Sequence, residues 1–142
     1  MDFRLIWLAL GSFAVGTGAF VIASLLPAIA GETGVSMSQA GTLVLSFAIA
    51  YAIGAPVLST LTGGFSRRPV LVGSILVFAA ANIGASFSPN FEGLLLARIV
   101  MAAASGLFAS AAQGTAVTLS TPETRTRAIS VIVGGTTLSV AL

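Results

Sequence analysis

The sequence predicts an all-α membrane protein with four complete transmembrane helices and a truncated fifth. Three observations carry that expectation. The 142-residue chain is 56% hydrophobic and only 7% charged, whereas a soluble domain carries about 25% charged residues. Its mean hydropathy is +1.07. Its apolar runs recur at regular intervals, each near or above the roughly 20 residues that cross a bilayer core.

The first run, residues 5–30, is about 26 residues long and spans with some tilt. Ala28-Ile29-Ala30 has the small-x-small form of a signal-peptidase site, but a signal core is only about 7 to 15 residues. Asp2 also offsets Arg4 in the short segment ahead of it, so a retained membrane helix is the better reading. The second, third and fourth runs cover residues 39–62, 69–87 and 91–119. A fifth begins near Ala128, and the roughly 15 residues to Leu142 reach about 22 Å into a core of about 30 Å.

The net charge is +2 and the pI about 10.6, and all 6 basic residues are Arg. They stand in ones and twos, a scatter that marks membrane topology rather than a phosphate-binding face, so nucleic acid is excluded as a partner. With no Cys and no His, disulfides and Cys-based metal sites are excluded, and no metal or cofactor is expected. The 4 acids sit near the ends of the spans. No convergent catalytic set can be drawn from them, and an enzyme is not expected. Scattered Ser and Thr do not alter this, because without a base they bond their own helix backbone.

Charge also orients the spans. Arg4 precedes the first, Arg67 and Arg68 lie between the second and third, and Arg125 and Arg127 lie between the fourth and fifth. The intervening loops, Gly31 to Ser38 and Ser88 to Asn90, hold no basic residue. By the positive-inside rule the N-terminus is cytoplasmic.

Arg98 is the exception, roughly 12 Å below the boundary set by Asn90. A central Arg costs about 2.5 to 3.5 kcal/mol on insertion scales. Snorkelling relieves part of that cost, but intramembrane charges usually face a bundle interior or a wet cavity. Arg98, Ala102, Ser105, Ala109 and Gln113 share one stripe of the helix, while Leu95, Ile99, Met101 and Leu107 are placed for lipid or packing. Counting depth along the helices makes Ser24 and Ser46 the expected polar neighbours of Arg98. Pro27 and Pro56 free carbonyls that a buried charge can also use. Gly11, Gly16, Gly18, Gly54, Gly73, Gly84, Gly106 and Gly114 predict close helix packing.

Several segments carry a resemblance. FAVGTGAFVIASLLPAIAGETGVSMSQAGTLV, AIAYAIGAPVLSTLTG, GGFSRRPVLVG, LLLARIVMAAASGLF and TPETRTRAISVIVGG resemble successive motifs of the major facilitator superfamily, closest to its drug and sugar efflux antiporter branch. The likeness covers essentially the whole chain. It implies the N-terminal helices of an MFS six-helix bundle, with alternating access, a small-molecule substrate and a proton as coupling ion. Arg98 falls on the helix-four Arg implicated in conformational or proton coupling, and Arg67 and Arg68 on the cytoplasmic loop motif. Because the first and fourth helices line the cavity in that family, Thr17, Phe20, Ser105 and Gln113 become candidates for substrate contact.

The departures also carry implications. Gly63 and Gly64 replace the Asp and basic residue usual in the loop motif, which weakens the interbundle ion pair. Ala19 and Ala28 stand where relatives often carry Glu, so no carboxyl remains within a helix core and any titrating group lies elsewhere. The chain is read as an incomplete N-terminal portion of an efflux transporter in the bacterial cytoplasmic (inner) membrane, its partners the lipid bilayer and the missing C-terminal half. The alternative is a small multi-span membrane interaction protein without transport activity of its own.

Overall fold

The computed structural model describes residues 3–88 and 90–141. Asp2, Pro89 and Leu142 lie outside the described residues. Five helices follow in order: α1 Phe3–Thr33, α2 Met37–Leu61, α3 Arg67–Ser86, α4 Phe91–Leu119 and α5 Arg125–Ala141. The first four are long and apolar enough to cross a membrane.

Each helix starts at or ahead of the point where its apolar run begins, and at α2 and α4 a side-chain cap sets the start. Ser36 accepts from the Gln39 amide while the Gln39 side chain accepts from the Ser36 amide, a reciprocal capping box that starts α2 at Met37. Asn90 Oδ1 accepts from the Gly93 amide at 3.0 Å and starts α4. Gly34, with φ of 70°, takes the left-handed conformation that closes α1. Pro69 falls in the first turn of α3, where its missing N–H is not needed. Between α4 and α5, Thr121 and Thr124 hydrogen-bond each other. Glu123 in that turn is held below the usual carboxylate range by its own backbone amide and by Thr121.

α4 touches all four other helices; α2 and α3 pack chiefly on it, and α1 packs chiefly on α5. Its sequence explains this placement. Ala102, Ala104, Ser105 and Gly106 are all buried, and a surface of such small side chains lets neighbouring backbones come close. A Cβ added at Gly106 would lie 2.9 Å from Ala55 Cβ, and one at Gly54 would lie 3.2 Å from Ala103 Cα. α2 and α4 therefore interlock through glycine and alanine. Where larger residues meet α1, rings fill the hollows: Phe108 seats on Gly11 and Phe78 on Gly18.

One apolar cluster joins Leu5 and Leu8 of α1 to Ala112 and Ala116 of α4 and to Ala128 and Ile132 of α5. It brings the start of α1, the end of α4 and the start of α5 to one end of the bundle. The α2–α3 turn lies at the same end, because Arg67 reaches Thr118. All the arginine-bearing turns therefore share one face, and Arg98 alone stands apart. Outside the packed seams large apolar side chains are bare, among them Ile53 at 61%, Leu76 at 63% and Leu96 at 65%. Hydrocarbon is the medium in which such a surface carries no penalty. The chain is a multi-pass membrane protein.

The α2–α4 seam makes a matched test. Gly106→Ala pushes a methyl into Ala55 and is expected to lower the detergent-solubilised melt by about 1 to 3 kcal/mol. Gly73→Ala, which meets nothing within 4 Å, is expected to leave the melt unchanged or raise it.

Candidate functional site

Arg98 is placed by the α4 cap. With Asn90 capping and Glu92 in the first turn against the helix dipole, Arg98 falls two turns in, on the face turned to α1 and α2. It is 2% exposed. Nη1 donates to the Gly18 carbonyl at 3.2 Å and Nη2 to the Ala19 carbonyl at 3.1 Å. The guanidinium carbon lies 4.3 Å from the centre of the Phe47 ring. Nε is buried without a hydrogen-bond partner. The side chain is thus turned inward to α1 and α2, and none of its partners among the described residues is a carboxylate.

The partners differ from those expected by counting depth. Ser24 Oγ donates to the Val21 carbonyl and Ser46 Oγ to the Leu43 carbonyl, each within its own helix. The acceptors are not the carbonyls released by the prolines either, since Pro27 frees Ala23, four residues before it. Gly18 and Ala19 accept because a carbonyl has two lone pairs and the helix uses one. Such charge-assisted bonds are about twice as strong as neutral ones, and the ring adds roughly 0.5 to 2 kcal/mol. A guanidinium stays protonated, so a permanent positive charge is fixed where α1, α2 and α4 meet.

Beside this tie is a cavity of about 430 Å³ between α1, α2, α4 and α5, within the size range of small-molecule sites. Ala19 and Phe47 belong both to its lining and to the Arg98 contacts. Of the four candidates for substrate contact, Phe20 and Ser105 line it together. Thr17 is turned about 100° from Gly16 and lies outside the lining, its hydroxyl bonded to the Phe13 carbonyl. Gln113 is exposed and also lies outside, roughly 12 Å along α4 from Ser105. The sequence reading missed Ser12, Phe47, Tyr51, Phe108 and Thr136, which supply the other hydroxyls and rings of the wall. Two signals were present: Ser12, Gly16 and Phe20 recur at four-residue steps on α1, as do Phe47 and Tyr51 on α2.

Residues 8–142 match the sequence profile of the Major Facilitator Superfamily. The chain belongs to that superfamily. It is 37% identical over 98% of its length to the chloramphenicol resistance protein of Streptomyces lividans, covering 36% of that protein. It is 33% identical over 95% of its length to the uncharacterized MFS-type transporter YtbD of Bacillus subtilis, covering 34%. It is 32% identical over 76% of its length to the inner membrane transport protein YdhP of Escherichia coli, covering 28%. The chain thus spans about a third of the length of the curated relatives it matches. No solved structure matches it significantly.

In this superfamily member the α2–α3 turn supplies a second contact with α4. Arg67 Nη1 donates to Thr118 Oγ1 at 2.8 Å, and the guanidinium lies over Gly114, where an added Cβ would come 3.0 Å from Nη1. A glycine at 114 leaves this room without any shift of the Arg67 side chain. With Gly63 and Gly64 carrying no side-chain charge, Arg67 is the charged residue of the turn that contacts α4; Arg68 is exposed beside it. A cavity of about 200 Å³ lies under the turn, lined by Ser59, Thr62, Arg67 and Ser110 among others.

The Arg98 geometry separates two sets of variants. Ser24→Ala and Ser46→Ala, which remove hydroxyls satisfied locally, are expected to move the detergent melt by less than about 0.5 kcal/mol. Arg98→Lys, whose ammonium cannot meet two carbonyls and a ring face together, is expected to lower it by about 1 to 3 kcal/mol.

Proposed function

We propose that these helices are the opening part of the N-terminal bundle of a secondary transporter that exports small organic molecules across the bacterial inner membrane. The observation that carries the reading is the pairing of an apolar cavity with a fixed charge that shares two of its wall residues, Ala19 and Phe47. Transporter sites lie near the midplane between helices, with irregular polarity confined to the interior, and this cavity fits that placement. The relative named for chloramphenicol resistance favours export over uptake. In the proposal, occupancy of the cavity and the arrangement of α1, α2 and α4 are coupled through Arg98.

The proposed coupling ion is the proton. Arg98 does not release one, and Glu32, Glu92 and Glu123 are all exposed near helix ends. The titrating carboxyl therefore belongs to another part of the transporter, where Arg98 acts on it as a fixed positive field. The orientation proposed has the N-terminus in the cytoplasm, because the arginine-bearing turns share one end of the bundle.

Two measurements check this reading. In a strain stripped of its own exporters, expression of the whole reading frame is expected to raise tolerance to chloramphenicol or another small antibiotic. Arg98→Ala is expected to reach the membrane at normal level and lose that tolerance; wild-type tolerance in the variant would leave the charge with a packing role only. For orientation, a reporter active only in the periplasm and fused after Arg68 is expected to be silent, and periplasmic activity would invert the topology.

A further inference from the structure

We infer that the cavity between α1, α2, α4 and α5 takes an uncharged molecule bearing an aromatic ring, and that Phe47 and Tyr51 are the residues that select it. The inference rests on the export reading above and names the chemistry of its substrate.

The shape argument begins with four aromatic residues. Phe20, Phe47, Tyr51 and Phe108 come from three helices and converge on one cavity. Phe47 and Tyr51 sit one turn apart on α2 with ring centres 6.3 Å apart and planes 23° from parallel. Phe108 is anchored on Gly11, whereas Phe20 is 51% exposed and Tyr51 37%. Two fixed rings and two accessible ones make a slot whose preferred filling is another ring, since offset stacking adds to simple apolar burial.

The hydrogen-bonding argument depends on which hydroxyls are spent. Most Ser and Thr hydroxyls of these helices donate to a carbonyl one turn back, and Ser105 does so to Met101 at 2.6 Å. Three lining hydroxyls do not: Ser12, Tyr51 and Thr136 make no hydrogen bond among the described residues. They lie on α1, α2 and α5, around the slot, and each offers a donor to a carbonyl, nitro or hydroxyl oxygen on the ligand.

Charge decides the rest. Among the described residues no acid lines the cavity, and Arg98 stands behind Phe47 and Ala19. A cation entering would lose hydration beside a positive charge that has no carboxylate partner among the described residues. An anion gains no partner in return: Nη1 and Nη2 are turned to α1 carbonyls, the Phe47 ring covers the guanidinium face, and Nε is sealed from the surface. An uncharged ring with polar substituents suffers neither penalty.

The test is equilibrium binding of three naphthalene probes, one neutral, one anionic and one cationic, to the whole transporter in nanodiscs, read by probe fluorescence. They are 2-naphthylmethanol, 2-naphthoate and (2-naphthylmethyl)trimethylammonium. The alcohol is expected to bind on the order of ten-fold more tightly than either ion. Tyr51→Ala and Phe47→Leu are expected to weaken it about five- to ten-fold, and Tyr51→Phe, which keeps the ring, by less. Phe47 also touches Arg98, so the exposed Tyr51 provides the variant that leaves the fold untouched. Equal or tighter binding of the cation or the anion overturns the inference, as does alcohol binding that neither variant changes. If export depends on Arg98 but the alcohol does not bind, this inference falls and the export reading stands. If there is neither export nor binding, both fall.

Discussion

The arrangement of these helices depends on a single charge having somewhere to go. Arg98 lies two turns inside α4, in a segment that hydropathy assigns to hydrocarbon, and an unmatched guanidinium there costs about 2.5 to 3.5 kcal/mol or more. The cost is offset by the Gly18 and Ala19 carbonyls and by the Phe47 ring. Because the partners come from α1 and α2, α4 cannot satisfy the charge without fixing its register against both. A purely apolar seam has no such constraint, since lipid tails solvate leucine as well as another helix does.

The tie works only if backbones are close, and glycine and alanine make them so. Two α1 carbonyls come within about 3 Å of a side chain on α4 because nothing large stands at positions 18 and 19. Phe78, seated on Gly18 from α3, fills the space a side chain would occupy. Gly54 and Ala55 interlock with Ala103 and Gly106 to bring α2 against the same stretch of α4, which carries Phe47 over the guanidinium. The small residues that in isolation signal only packing are here the condition for burying a charge. At the opposite end the same logic recurs on a smaller scale, with Gly114 making room for Arg67 to reach Thr118.

What was legible in the sequence follows from which physical quantity each feature depends on. The spans were legible because crossing hydrocarbon requires a long uninterrupted apolar run, and the all-α fold follows from the need to satisfy every backbone group within the segment. The burial of Arg98 was legible because its position broke the pattern of the other arginines. Its partners were not. Ser24 and Ser46 were expected from depth alone, but Ser24 lies six residues beyond Gly18, about 600° around the helix, and so faces another way. Backbone carbonyls also have no residue type to betray them; only the smallness of Gly18 and Ala19 hints at access. Of the cavity, Ser105 lies on the α4 stripe and Phe20 was reached through the family resemblance that sets the first helix along it, whereas Tyr51 and Thr136 depend on how α2 and α5 are rotated, which no single-helix pattern fixes.

The overlap between cavity and charge gives the site its mechanical content. A ligand shifts a conformational equilibrium only by the difference between its contacts in the two states, so the residues that matter are those touching both the ligand space and an element able to move. Ala19 and Phe47 meet that condition. In the proposed coupling, a ring pressed against Phe47 from the cavity pushes on the side chain that also covers the guanidinium, and any displacement of Phe47 alters a contact between α2 and α4. Ala19 lines the cavity and its carbonyl accepts from Nη2, so in the proposed coupling a shift of α1 stretches a charge-assisted bond. Loss of either contact leaves more of a buried cation unmatched, and in the proposed coupling that cost is what links the cavity to the positions of α1 and α2. Among the described residues no acid lines the cavity, so within these helices the charge of Arg98 is met by the carbonyls of α1 and the ring of α2 and depends on where those two helices sit.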